Sequence, residues 1–150
     1  MIAGQAQSLS CMRPEPIATF QQLADAPESY FVLYERLSFD DGKLPTGVSL
    51  DQTRKADPIP ARFEGKALSS GGFTIDYAHE AVLEIGCAGP WCGSTKSGVD
   101  ALFFVVASGP PVTILAEPCG GRIFEEPTQE VIDMLTTCMQ GGVCSPQPLQ

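Results

Sequence analysis

The chain has 150 residues, of which 43% are apolar and 18% are charged, with 18 acidic side chains against 9 basic ones. That length suits one domain with a sizeable core, and the apolar fraction argues against wholesale disorder. A formal charge of -9 disfavours a nucleic-acid-binding protein, because binding a phosphate backbone requires clustered Lys and Arg. The longest apolar run, Ala101–Ala107, is too short to cross a bilayer, so we expect no transmembrane segment.

Residues 1–10 carry no pattern of a helix or strand. They lack the charged and apolar regions of a complete export signal, but Gly4 and Ala6 are small residues of the kind that a signal peptidase reads. We therefore expect a disordered start that is the remnant of a signal peptide, followed by a single domain over residues 11–150.

The first half of the chain predicts one helix and one strand. Thr19–Ala26 is typical of a short helix that Pro27 stops, and Tyr30–Phe39 alternates as a half-buried strand does. One face of this strand carries Phe31, Leu33, Leu37 and Phe39. Turn residues follow at Asp40-Asp41-Gly42, and Lys43–Pro58 is a polar connection.

The second half predicts four more strands and a loop. Ile59–Leu68 alternates between apolar and charged residues, and Ala81–Gly86 is a third strand. Cys87–Asp100 is a loop rich in Gly and Ser. Ala101–Ala107 is continuously apolar and is therefore expected to be the most deeply buried strand, before a fifth strand at Val112–Glu117.

A terminal helix is predicted over Gln129–Met139. Thr128 is a suitable N-cap, and Gly141-Gly142 ends the helix. The face expected to pack on the sheet carries Val131, Met134, Leu135 and Cys138. Five short strands with a helix at each end favour a mainly β fold, a small closed or partly open barrel, over a two-sheet sandwich.

The six cysteines fit either a disulfide framework in an oxidising compartment or metal ligands in the cytosol. Structural zinc usually uses paired C-x2-C units, whereas four residues separate Cys87 from Cys92 and five separate Cys138 from Cys144. The spacing therefore favours disulfides and a periplasmic or secreted protein, and we expect no metal and no cofactor.

Several residues together resemble the netrin-like domains, a family that includes the tissue inhibitors of metalloproteinases and bacterial relatives. In the first half these are Cys11, Pro14, Phe20, Ala24-Asp25 and the strand that begins at Tyr30. In the second half they are Cys92-Gly93, the strand Leu102–Val106, Cys119 and the terminal helix. The resemblance implies a five-stranded OB-type barrel with a short N-terminal helix and a C-terminal helix.

The resemblance also implies a disulfide pairing. The family links its N-terminal segment to the cysteine after the last barrel strand, which here implies Cys11–Cys119 and leaves Cys87–Cys92 and Cys138–Cys144 as local pairs. Zinc-chelating inhibition of a metalloproteinase does not carry over, because that activity needs a free α-amine on the first cysteine and a C-x-C opening. In this chain Cys11 is preceded by other residues and followed by Met12.

No catalytic residues are assigned. Cys87 and Cys92 are too far apart for a thioredoxin-type redox pair, and a structural disulfide is the favoured interpretation. His79 is expected to lie on the surface or in a loop ahead of the third strand. A secreted hydrolase that uses acidic residues near His79 stays as an alternative, with Asp76, Glu80 and Glu84 as candidates.

Trp91, next to Pro90, is the candidate binding residue. A lone Trp in a loop pinned by a short disulfide could present a rigid aromatic anchor, but burial as a plug at the barrel end is the favoured interpretation. The sequence as a whole favours an exported, disulfide-bonded binding module without catalysis, for a protein or cell-envelope partner. A netrin-like protease inhibitor acting by loop insertion is a further alternative, and the sequence does not give the oligomeric state.

Overall fold

The structure is a computed structural model that describes residues 10–45 and 57–146. The helices are α1 (Pro16–Ala24) and α2 (Gln129–Met139). The strands are β1 (Tyr30–Phe39), β2 (Ile59–Ser69), β3 (Gly72–Ile85), β4 (Cys87–Ala88), β5 (Trp91–Cys92), β6 (Asp100–Val106), β7 (Val112–Ala116) and β8 (Ile123–Glu125). The predicted mainly β fold with an N-terminal and a C-terminal helix is confirmed.

Six of these strands form one sheet in the order β7-β3-β2-β1-β6-β8, and β4 and β5 form a separate hairpin. Strands β1, β2 and β3 are an antiparallel meander, β6 is antiparallel to β1, and β7 is parallel to β3. Contacts between β6 and β7 curl the sheet into a half-barrel. The sheet therefore contains the five predicted strands and one more, β8.

The core has two parts, one on each face of the curled sheet. The inner part is built from residues such as Leu33, Phe63 and Phe103, and the outer part lies under the two helices. Strand β6 contributes to both parts of the core, because Phe103 packs in the inner part and Phe104 packs beneath the helices. Ala101–Val105 is buried without a break, which confirms that this strand is the deeply buried one.

The two helices differ in how well the sequence predicted them. Helix α2 has the predicted bounds, and the Thr128 hydroxyl accepts a hydrogen bond from the Val131 N–H at 3.2 Å. The prediction for α1 was wrong at both ends. The helix begins at Pro16 because the Glu15 carboxylate accepts hydrogen bonds from two backbone N–H groups of the first turn and so acts as the N-cap.

Strand β1 has the predicted bounds, and β2 is one residue longer than predicted. The third strand was predicted too short, since β3 begins at Gly72 and pairs with β2 over the polar stretch before Ala81. His79 therefore lies inside β3 and not ahead of it, although it is exposed as expected. The loop predicted at Cys87–Asp100 contains the β4–β5 hairpin.

Two predicted segments fall largely outside the described residues. These are the disordered start, of which only Ser10 is described, and the polar connection Lys43–Pro58, of which the structure omits 46–56. The predicted turn before that connection is present as a single 3-10 turn at Asp41–Lys43, where the Asp40 carboxylate accepts a hydrogen bond from the Gly42 N–H at 3.0 Å.

Three disulfides join all six cysteines: Cys11–Cys119, Cys87–Cys92 and Cys138–Cys144. These are the pairs that the resemblance implies. The first fixes the segment before α1 to the segment after β7, and the last closes the chain back onto the end of α2. The first link therefore holds the start of α1 close to the sheet, whereas the last constrains the tail that follows α2.

Candidate functional site

Trp91 lies on the β4–β5 hairpin, whose base the Cys87–Cys92 disulfide closes. The hairpin is anchored next to β7, because the Gly86 N–H donates to the Ala116 carbonyl at 2.8 Å and the Gly93 N–H donates to the Gly86 carbonyl at 2.8 Å. With its base fixed, the hairpin tip projects outward, and Trp91 stays 41% exposed. The favoured expectation that Trp91 plugs the barrel end was therefore wrong.

The acidic residues near His79 do not converge. Successive side chains of a strand point to opposite faces, so Asp76 and Glu80 share one face of β3 and His79 lies on the other. The His79 ring is 4.4 Å from the Tyr77 ring between centroids. A hydrolytic site needs an acid and a base around one substrate, and these side chains do not form one.

The acids have cationic partners on β2. Lys66 Nζ donates a hydrogen bond to Asp76, which lowers the pKa of that carboxyl and raises the pKa of Lys66. Glu80 is 4.0 Å from the Arg62 guanidinium, which also bonds the Glu64 carboxylate at 2.9 Å. All of these groups are exposed to solvent, so they form a charged outer surface and not a buried acid pair.

A polar cleft lies farther along the same outer surface. Tyr34, Glu35 and Asp100 line it, and the Arg36 side chain bonds Asp100 at 3.1 Å. Burial, reinforced by the nearby Asp100 and Glu35 carboxylates, raises the pKa of Tyr34. The cleft is therefore a hydrogen-bonding surface of net negative charge, since three carboxylates and one guanidinium line it.

The described residues also form an apolar groove of about 540 Å³ that sequence reasoning did not find. It lies where the end of α1 faces the start of β1, the end of β2 and the first part of β3. Its walls include Phe20, Leu23, Phe31, Ile75, Tyr77 and Met139. We refer to this feature as the apolar groove.

Three of the wall residues are large apolar side chains that remain open to solvent. Phe31 is 42% exposed, Ile75 is 52% exposed and Met139 is 44% exposed. They come from β1, β3 and α2, so the fold brings them together from distant parts of the chain. Glu28 is the one charged side chain among the lining residues of the described part of the chain.

Aromatic contacts make the floor of the apolar groove rigid. The Tyr77 ring packs edge-on against Phe31 at 6.0 Å and against Phe63 at 5.9 Å, and Phe63 continues into the inner core. Burial raises the pKa of Tyr77. The groove is therefore built on the core and not on a loop.

The lack of a side chain at Gly65 makes room for the Tyr77 ring in the floor of the apolar groove. It lies between Glu35 and Tyr77 in the sheet register, and a Cβ at this position would lie 2.1 Å from the Tyr34 carbonyl oxygen. Without a side chain at Gly65, β1 approaches β2 closely and the Tyr77 ring crosses towards Phe31.

The helix walls are tied together at the far side of the groove. The Gln21 side-chain amide donates to the Cys144 carbonyl at 2.6 Å, and Cys144 is bonded to Cys138 in the last turn of α2. Cys138 directly precedes Met139, which lines the groove. The disulfide therefore helps to set the distance between the helix walls.

Comparison with protein-family models, curated proteins and solved structures finds no match to this chain. In the described parts of the chain, neither helix has the length and apolar character that a bilayer span requires. The same residues contain no cluster of three side chains suited to holding a metal ion.

Proposed function

We propose that this protein is an exported, disulfide-linked binding module that takes an apolar segment of a protein partner into the apolar groove. One observation carries the proposal: Phe31, Ile75 and Met139 converge, exposed, on one concave surface. Contiguous exposed apolar surface is unfavourable in water and commonly marks a site of interaction. A groove of about 540 Å³ is of the size that binds several side chains or a small ligand.

A protein partner fits the charge of this surface better than an anionic lipid of the envelope does. Glu28 lines the groove, and the chain carries a net charge of -9. An acyl chain would bring an anionic headgroup towards this carboxylate and this negative field. A protein segment can combine apolar side chains with basic ones, and complementary charges also speed association.

Trp91 and Pro90 are proposed as a second, smaller contact surface. An exposed Trp on a hairpin with a covalently closed base loses little conformational entropy on binding, which suits an interface anchor. The same presentation would suit a protease inhibitor that acts by loop insertion. The apolar groove offers a much larger area, and we therefore place the principal contact there.

The relationship to netrin-like domains is proposed on three features: the β1–β2–β3 meander, the contacts that curl β6 towards β7, and the Cys11–Cys119 link. These are compatible with an OB-type barrel to which β8 adds a strand. Location in the periplasm or outside the cell is proposed on the three disulfides, which persist where thiols are not kept reduced.

The proposal predicts that Ile75→Lys abolishes partner capture. A charged side chain in the apolar groove would lose hydration on binding, which weakens the complex by about tenfold or more. Val106→Lys is the matched control, since Val106 is 42% exposed, lies at a strand end and does not line the groove. The measurement is quantitative pull-down from the native periplasmic or secreted fraction, after circular dichroism has shown that both variants are folded.

Capture of one stoichiometric partner by the wild type and by Val106→Lys, with loss in Ile75→Lys, is the expected result. Trp91→Ala is included as a third variant and is expected to retain most of the partner. Loss of partner capture in Trp91→Ala alone would place the binding site on the hairpin and contradict binding in the apolar groove. Equal retention by all variants would contradict both surfaces.

A further inference from the structure

Among the strands that the structure describes, part of β3 has a neighbour on one side alone. Strand β2 pairs with β3 from Gly72 to Leu83, whereas β7 pairs with it only from Ala81 to Ile85. Among the described strands, none pairs with the other edge of residues 73–80. The backbone hydrogen bonds of turns and loops do not involve residues 73–80 either. Within the described ranges 10–45 and 57–146, every second N–H and C=O group along this stretch therefore has no backbone partner.

The two faces of this free edge differ in chemistry. Ile75 and Tyr77 face the apolar groove, while Asp76, Ala78 and Glu80 point to the charged outer surface. A strand placed beside β3 would have alternate side chains on these two faces. One row of its side chains would contact the apolar groove, and the other row would lie near the Asp76 and Glu80 carboxylates.

We infer that the free edge of β3 binds an extended segment of a partner protein in which apolar residues alternate with Lys or Arg. The segment adds a strand to the sheet, its apolar side chains enter the apolar groove, and its basic side chains face Asp76 and Glu80. Main-chain hydrogen bonds give affinity in this mode, and the side-chain pattern gives specificity. The inference deepens the proposed function and rests on it.

Other kinds of ligand would satisfy fewer of the backbone and side-chain groups along the free edge of β3. A helix has already used its backbone donors and acceptors internally, so it cannot satisfy those of β3. An acyl chain has none to offer. A second copy of this chain would bring a second Asp76 and Glu80 to the same face of the extended sheet and a second net charge of -9, and this accumulation of like charge is unfavourable.

The cationic partners on β2 leave room for an incoming charge. Among the described residues, Asp76 and Glu80 each interact with one cation, and the side chains of both carboxylates are almost fully exposed, at 88% and 87%. Each carboxylate can accept several hydrogen bonds, so Lys66 and Arg62 do not saturate them. A basic residue from the partner would complete a row of alternating charge across three strands.

The test uses the full-length, disulfide-intact protein and a capped octapeptide that alternates valine with lysine. Hydrogen exchange is followed at single-amide resolution by NMR. In the free protein the outward-pointing amides of residues 73–80 are expected to exchange rapidly, and saturating peptide is expected to slow them by about tenfold or more. A block peptide of the same composition, with all valines before all lysines, is the control and is expected to leave these rates unchanged.

Two variants separate this inference from the proposed function. Glu80→Gln is expected to weaken octapeptide binding about two- to threefold and to reduce its salt dependence, whereas Glu130→Gln, an exposed acid on α2, is expected to leave both unchanged. Peptide binding that perturbs the apolar groove without protecting the β3 amides would overturn strand addition and leave the groove in place. Equal binding of the block peptide, or no binding of the alternating one, would also overturn strand addition. The proposed function fails separately, if Ile75→Lys still captures its partner.

Discussion

Replacing both Cys11 and Cys119 by alanine is expected to lower the free energy of unfolding by about 4 to 5 kcal/mol, since this link closes a loop with a sequence separation of 108. A disulfide stabilises mainly by restricting the unfolded chain, and the restriction grows with loop length. The double substitution also removes the tether that holds the start of α1 near β7. Urea unfolding followed by circular dichroism gives the free energy directly.

The Cys87→Ala/Cys92→Ala double variant is the matched control for that measurement. Its loop has a sequence separation of 5, so its removal is expected to cost about 2 kcal/mol. If removal of Cys11–Cys119 lowered the free energy of unfolding less than removal of Cys87–Cys92, then Cys11–Cys119 would not be the more stabilising of the two disulfides.

Phe63→Ala is expected to destabilise the protein by about 3 to 5 kcal/mol, because it removes a fully buried ring from the inner core. The ring packs against Phe103 at 5.5 Å and against Tyr77 at 5.9 Å. Its loss leaves a cavity beneath the apolar groove as well as in the core. The measurement is again the free energy of unfolding in urea.

Phe31→Ala is the matched control, since Phe31 is 42% exposed and therefore buries much less apolar area in the folded state than Phe63 does. Its expected cost is about 1 kcal/mol or less. Equal losses at Phe63 and Phe31 would contradict the assignment of Phe31 to an open surface, and with it the shape of the apolar groove.

The elements with strong local patterns were predictable from the sequence. Strand β1 and helix α2 have the predicted bounds because alternation in one and a Thr128 cap with i, i+3, i+4 periodicity in the other agree with the tertiary packing. Strand β6 was predictable as buried because an unbroken apolar run is typical of a strand covered on both faces.

The first part of β3 was missed although a signal was present. Phe73, Ile75 and Tyr77 alternate with polar residues, but the run continues into His79 and Glu80, which are exposed and interrupt the apolar pattern. An overhanging edge strand needs no continuous buried face, so hydrophobic periodicity underestimates its length. The short strands β4, β5 and β8 contain too few residues for any period to be read.

The candidate site itself could not be predicted from the sequence. The apolar groove joins Phe20, Phe31, Ile75 and Met139, which are far apart in the chain and lie on four different elements. No local pattern distinguishes an apolar residue that completes the core from one that stays open to solvent. The sequence did single out Trp91, but it favoured a buried position for this side chain. The hydrogen bonds with β7 that anchor the hairpin base are tertiary contacts, and a local sequence pattern does not predict them.

The three disulfides are proposed to form in an oxidising compartment, where Cys11–Cys119 fixes the start of α1, a helix wall of the apolar groove, to the segment after β7. The most direct test is to block free thiols in the intact source cells or culture fluid before extraction, and then to map the peptides of the isolated protein without reduction. The account predicts no alkylated cysteine and the three cross-linked pairs Cys11–Cys119, Cys87–Cys92 and Cys138–Cys144. Recovery of six alkylated cysteines would contradict it, because the start of α1 would then have no covalent link to the segment after β7 and the protein would reside where thiols are kept reduced.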